Sequence, residues 1–171
     1  MRIRTLVLTL AITLIALSAA AADEMKKAEW MLGDWKGTAS IQMGPGKPQL
    51  VQQTERVQSK LGGKVLVIDG LGKRKNDDGT LGEVVHEALG VISWDEKKNA
   101  YRFDAWTARD GYVEASMTIG DRVATWGFDT PGGGKVRYTI RQTEKGEWNE
   151  VGEFSRDGNA WMKFFEMTLS K

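Results

Sequence analysis

The chain has 171 residues, a formal net charge of +1 and no cysteine. This length indicates one domain that can bury a core without disulfides. The absence of cysteine excludes a disulfide framework, a thiol nucleophile and thiolate metal ligands, and the near-neutral charge provides no basic field to attract nucleic acid.

The first 22 residues have the pattern of a cleavable signal peptide. A basic segment at residues 1–4 precedes an apolar run over residues 5–16, and alanines at residues 20–22 supply a cleavage site before Asp23. A membrane anchor is the alternative, but the run is shorter than the about 20 residues that span a bilayer. We therefore expect residues 1–22 to be removed, residues 23–171 to form the domain, and the protein to be periplasmic or secreted without stable membrane insertion.

The segment from Asp23 to Leu32 is predicted to form one short helix that Gly33 ends. Its apolar side chains group on one side. A helix of this length is not stable alone, so we expect it to pack Trp30 across one end of the structure that follows.

The rest of the chain is predicted to consist of about ten β-strands, because apolar and polar residues alternate between turn residues. The clearest alternation places Val113, Ala115, Met117 and Ile119 on one face. Gly62-Gly63 is predicted as a two-residue hairpin turn. The predicted strands cover residues 35–43, 49–60, 64–71, 83–94, 100–107, 112–119, 122–128, 135–143, 147–155 and 160–170.

Short connections between so many strands favour an all-β, up-and-down antiparallel meander. An open sheet of about ten strands would leave two exposed edges, which closure into a barrel removes. An immunoglobulin-like sandwich is the alternative, but it needs longer crossovers and usually fewer strands. We predict a closed barrel of about ten strands with a short N-terminal helix.

Three sequence motifs carry a resemblance to known barrels. They are the segment Leu32-Gly33-Asp34-Trp35-Lys36-Gly37, the turn Gly62-Gly63 that leads to Ile68, and the segment from Leu89 to Asp95. With them the chain resembles calycin-type barrels, namely lipocalins, fatty-acid-binding proteins and nitrobindin-like proteins. More closely, it resembles a family of secreted bacterial proteins with a lipocalin-like domain of unknown function.

The resemblance implies a lipocalin-like barrel that carries a ligand. It also implies a structural role for Gly33, Trp35 and Gly37, with the Trp35 ring packed across the closed end of the barrel. Nitrobindins bind haem through a histidine near the C-terminal strand. Here residues 160–170 contain no histidine, and the single histidine of the chain is His86.

Several aromatic side chains, among them Trp106, Trp126 and Tyr138, are candidates for ligand contact. Aromatic residues fill the core of small barrels, and the alternative is that they line a cavity for an apolar or planar ligand. The choice depends on which face of each strand points inward.

Arg137 and Arg141 share one face of their predicted strand. If this face points inward, the two arginines are suited to bind a carboxylate, and if it points outward they form a solvated surface.

His86 alternates in phase with Val84, Ala88 and Ile92. One interpretation of His86 is a functional one, as a metal ligand, a haem ligand or a pH switch. The alternative is a partly buried histidine that makes one hydrogen bond.

The sequence shows no Ser-His-Asp or Cys-His catalytic set, because the single histidine would have to act in every such set. We expect no enzyme activity, no metal and no cofactor. The first functional hypothesis is a periplasmic barrel that binds a small apolar or amphipathic ligand. The alternatives are a structural or interaction barrel of the cell envelope with an exposed face at Gln52, Gln53 and Gln58, and haem binding through His86.

Overall fold

The computed structural model describes residues 21–109 and 111–171. The predicted signal peptide lies almost wholly outside the described residues. A helix over residues 21–26 and a 3-10 turn over Glu29–Met31 replace the single predicted helix. Among the described residues, no helix is long and apolar enough to cross a membrane.

Ten strands follow in meander order, and their bounds match the predicted ones within a few residues. They are β1 (Gly33–Ile41), β2 (Gln49–Lys60), β3 (Val65–Lys75), β4 (Leu81–Asp95), β5 (Ala100–Thr107), β6 (Gly111–Gly120), β7 (Val123–Asp129), β8 (Lys135–Gln142), β9 (Trp148–Ser155) and β10 (Met162–Ser170). Every neighbouring pair is antiparallel, and β1 also pairs with β10, from Lys36 opposite Ser170 to Ile41 opposite Phe165. The predicted closed barrel is therefore confirmed, and its architecture is compatible with a calycin-like fold.

The β1–β10 seam closes tightly because Gly37 has no side chain. A Cβ atom at Gly37 would lie 2.0 Å from the backbone oxygen of Thr168. The turn between β2 and β3 differs from the prediction, because Lys60 pairs with Val65 across a four-residue loop. In this loop Leu61, Gly62 and Gly63 all have positive φ angles, which explains the two glycines.

The N-terminal segment covers one end of the barrel, which we call the closed end. Met25, Ala28 and Met31 are fully buried there. The Tyr101 hydroxyl donates a 2.9 Å hydrogen bond to the Glu24 carbonyl oxygen, which ties the segment to the start of β5.

Trp35 is the centre of the closed end and is 1% exposed. Its indole N–H donates a 2.7 Å hydrogen bond to the Met31 carbonyl oxygen. Its ring meets the Trp148 ring edge to face at 5.7 Å, and the Lys171 ammonium lies 4.5 Å from its centre. Trp30 packs on Trp148 from outside at 6.2 Å. These contacts seal this end against solvent.

Candidate functional site

A cavity of about 330 Å³ lies inside the barrel, and all ten strands contribute to its lining. Its volume is at the low end of the range of about 300–1,000 Å³ for small-molecule sites. The lining extends from Trp148, near the closed end, to His86, Thr107 and Phe164, near the opposite end. The cavity therefore occupies the part of the barrel that the N-terminal segment does not cover.

The cavity exists because one wall carries small side chains. Gly70 on β3, Ala88 and Gly90 on β4 and Ala105 on β5 all face the interior. On the opposite wall β7, β8 and β10 present large aromatic rings. A barrel of about eight strands has an interior that side chains can just fill, and the diameter grows with the number of strands. In this ten-stranded barrel the small side chains of one wall therefore leave space that the rings of the other wall do not fill.

The aromatic wall is built around Trp126 and Tyr138, whose rings stack with centres 4.2 Å apart and planes 9° apart. Phe103 meets Trp126 edge to face at 4.8 Å, and Phe165 meets Tyr138 in the same way at 5.8 Å. Gly152 makes this arrangement possible, since a Cβ atom there would lie 2.7 Å from the Tyr138 ring. The wall is an apolar aromatic surface, suited to contact with an apolar or planar ligand group.

Two carboxyl groups, from Glu55 on β2 and Glu150 on β9, face the same cavity. Glu150 is only 8% exposed. Its Oε2 accepts a 3.1 Å hydrogen bond from the Trp148 indole N–H, and the Trp126 side chain donates to it as well. Glu55 Oε1 accepts a 2.8 Å hydrogen bond from the Gln53 amide, and the surface that Glu55 retains faces the cavity.

The pKa values of both carboxyl groups are raised. Burial raises the pKa of Glu55 to about 8, the hydrogen bond from Gln53 opposes this effect, and the charges of Glu150 and Asp69 add to it. Burial raises the pKa of Glu150 to about 7, against the hydrogen bonds from Trp148 and Trp126. The two groups are therefore partly protonated near neutral pH, because the low-dielectric interior disfavours two negative charges.

Glycines on β3 make room for the polar side chains of β2. Gly70 pairs with Glu55, and Gly72 pairs with Gln53. A Cβ atom at Gly70 would lie 2.8 Å from Glu55 Oε2, and one at Gly72 would lie 2.4 Å from Gln53 Oε1. The carboxyl of Glu55 and the amide of Gln53, which is 4% exposed, thus rest directly on the backbone of β3.

No lysine or arginine of the described residues lines the cavity. Nearby basic groups point outward and pair there. Arg137 donates a 2.7 Å hydrogen bond to Glu153, and Arg102 lies 3.2 Å from Asp104. The interior of the barrel is therefore acidic and aromatic.

The structure brings together three of the six predicted ligand contacts. Trp126, Tyr138 and His86 line the cavity. His86 does so despite a register shift beside it, which moves Val84 out of phase onto the exposed face. His86 also makes a polar or ring contact of its own.

The other three predicted contacts, Trp106, Arg137 and Arg141, lie on the outer face and do not line the cavity. The register of β8 points Tyr138 and Ile140 inward, so the two arginines point outward and the carboxylate-binding alternative does not apply. Trp106 is 43% exposed and packs on Tyr112 outside the barrel.

The proposed exposed face at Gln52, Gln53 and Gln58 is wrong for Gln53, which is buried inside. Successive residues of a strand point to opposite faces, so Gln52 and Gln53 cannot share one. Glu55 and Glu150 line the cavity but were not predicted as site residues. The sequence pattern that could have identified them is a glutamate on the same face of a strand as buried apolar residues. In β2, Glu55 lies on the face that also carries the buried Val51 and Val57.

A second depression, of about 420 Å³, lies on the outer side of β6, β7 and β8 beside Trp161. It is larger than the interior cavity but open to solvent, and its polar side chains, such as Lys135 and Asp129, are ion-paired at the surface. The interior cavity is the better candidate because it encloses a ligand. The described residues contain no group of three side chains that could hold a metal ion.

The chain was compared with known proteins. No protein-family model matches it. No curated protein is similar enough to count as a relative.

Proposed function

We propose that this protein is a non-enzymatic, lipocalin-like barrel of the periplasm or the exterior that binds a small amphipathic molecule in its interior cavity. The observation that supports this function is the cavity itself. It combines an aromatic wall at Trp126 and Tyr138 with a polar side at Gln53, Glu55 and Glu150.

The cavity volume indicates a small ligand. It is close to the lower limit for small-molecule sites, so it suits a bicyclic ring with a short polar chain better than a long acyl chain. The burial of such a ring against Trp126 and Tyr138 supplies the main part of the binding free energy, at roughly 25 cal/mol per Å² of apolar surface.

The test compares ligand binding in a cavity-filling variant and a matched surface variant. Ala88→Leu adds a side chain inside the cavity, whereas Glu87→Leu adds it on the exposed face of the same strand. We expect calorimetric titration with 2-(1-naphthyl)ethanol to show binding to wild type and Glu87→Leu, and at least about tenfold weaker binding to Ala88→Leu. Equal affinities in all three proteins would place the probe outside the cavity and contradict the proposal.

An interaction surface is the second candidate function, and one observation favours it. Leu89, Trp106 and Tyr112 are exposed and follow one another across β4, β5 and β6, since Leu89 pairs with Trp106 and Trp106 with Tyr112. If this surface carries the function, Trp106→Ser should abolish capture of a stoichiometric partner from envelope extract while Ala88→Leu leaves it intact. If Ala88→Leu abolishes capture and Trp106→Ser leaves it intact, the result would support the cavity as the functional site.

A further inference from the structure

We propose that the ligand of the interior cavity carries a protonated amine on a flat apolar body, with the ammonium group bound by Glu55 and Glu150 and the body packed on Trp126 and Tyr138. This inference rests on the proposed function, because it requires that the cavity binds a small molecule. It adds the chemical class of that molecule.

Charge is the first reason. Glu55 and Glu150 face the cavity, and no lysine or arginine of the described residues faces it with them. A buried carboxylate without a cationic partner is costly, and an ammonium group supplies that partner. A carboxylate ligand would instead add a third acidic group to the same low-dielectric space, so the site disfavours fatty acids.

The hydrogen-bonding pattern is the second reason. Gln53 donates to one oxygen of Glu55, and the indole N–H of Trp148 donates to one oxygen of Glu150. These bonds hold each carboxyl group in place, and each group keeps further acceptor capacity, since an ionised carboxyl offers about four lone-pair sites. An ammonium group has three donors and no acceptor, which complements this acceptor-rich side of the cavity.

The aromatic wall is the third reason. The rings of Trp126 and Tyr138 line the cavity and stack on each other with their centres 4.2 Å apart. Such an aromatic surface packs against an apolar ring, and an aromatic ring also attracts a cation that lies over its face. Because Trp126 also donates to Glu150, the wall and the carboxyl groups form one continuous site.

Proton release is the expected signature of amine binding. The groups that act on Glu55 are Gln53 on its own strand, Asp69 on β3 and Glu150 on β9, and His86 on β4 lines the same cavity. The groups that act on Glu150 are Trp148 and Trp126, with Glu55 and Tyr138 on the neighbouring walls. A bound ammonium group favours the ionised carboxylates, so a proton passes from a carboxyl group to the buffer and amine affinity rises with pH until both groups are ionised.

The experiment uses three probes with the same ring: 2-(1-naphthyl)ethylamine, 2-(1-naphthyl)ethanol and 1-naphthylacetate. In calorimetric titrations of wild type at pH 7.5, we expect the amine to bind at least about tenfold more tightly than the alcohol, and the carboxylate to bind most weakly. Glu55→Gln and Glu150→Gln should each lower the ratio of amine to alcohol affinity at least about tenfold. Glu166→Gln, a carboxyl on the outer face paired with Lys163, should leave the ratio unchanged.

The outcomes separate this inference from the proposed function. If the alcohol or the carboxylate binds as tightly as the amine, the amine inference is overturned and cavity binding stands. If none of the three probes binds, both are overturned. If a glutamine variant does not fold, the wild-type affinities at pH 6.0 and 8.0 decide, since a ratio of amine to alcohol affinity that does not rise with pH overturns the inference.

Discussion

Replacement of Glu55 by glutamine should stabilise the ligand-free barrel at pH 8 and leave its stability nearly unchanged at pH 5. Glutamine has the shape of a protonated glutamate and cannot ionise. The folded-state pKa of Glu55 is about 8, raised mainly by burial from an ordinary value of 4.5. The folded protein therefore holds a proton on Glu55 at pH values at which the unfolded chain has released it.

The sign of the effect follows from this difference. Below about pH 4.5 both states are protonated, and Glu55 makes no pH-dependent contribution. As the pH rises from 4.5 to 8, the unfolded state binds fewer protons than the folded state, so the free energy of unfolding falls. Above pH 8 both states are ionised, and the full cost of burying the charge remains.

The magnitude follows from the displacement of the pKa. One pKa unit corresponds to about 1.4 kcal/mol. The rise at Glu55 from 4.5 to about 8 therefore amounts to a cost on the order of 5 kcal/mol, and the rise at Glu150 from 4.5 to about 7 to a cost on the order of 3 kcal/mol. These are upper limits, since water that enters the cavity solvates the ions.

Urea unfolding at half-unit steps from pH 5.0 to 8.5 measures the effect. Wild type should lose at least about 2 kcal/mol across this range, and Glu55→Gln and Glu150→Gln should each flatten part of the decline. Glu166→Gln, with its exposed carboxyl, should follow wild type. A wild-type stability that stays constant from pH 5 to 8, or a Glu55→Gln curve parallel to it, would refute the reasoning.

Three further predictions concern the barrel itself. Trp35→Ala should lower the free energy of unfolding, measured in urea, by roughly 3–5 kcal/mol, because it removes the buried ring at the centre of the closed end. A loss below about 1 kcal/mol would contradict this role. Gly37→Ala should lower the melting temperature, because its Cβ would clash with the Thr168 oxygen, whereas Gly44→Ala, which meets nothing within 4 Å, should not. Asp157→Ala should destabilise the protein at pH 7, because this carboxyl accepts backbone N–H groups that lower its pKa to about 2. Its contribution is present above pH 3.8 and disappears as the pH falls through about 2, so a stability difference that persists at pH 1.5 would be inconsistent with it.

Much of the fold was predictable because strand alternation is a local property. The strands over residues 49–60 and 100–107 agree with the structure at both ends. Closure was predictable as well, since ten strands in a meander leave edges that must be paired. The loop at Gly62-Gly63 was harder to predict, because two adjacent glycines are compatible with more than one turn length.

The candidate site was less predictable, because a single strand does not reveal which face points inward. His86, Trp126 and Tyr138 were identified by residue type and line the cavity, whereas Arg137 lies one residue away from Tyr138 and therefore points outward. Glu55 and Glu150 were overlooked because glutamates in strands are usually solvated.

The amino-acid sequence by itself determined the number and order of the strands and most of the turns between them. Only the tertiary structure decided that Glu55 and Glu150, which are 95 positions apart in the numbering, face one cavity beside Trp126. The reason is physical. Alternation along a strand depends on neighbouring residues, whereas the interior of a barrel depends on the register of every strand at once, and a shift of one residue exchanges the two faces.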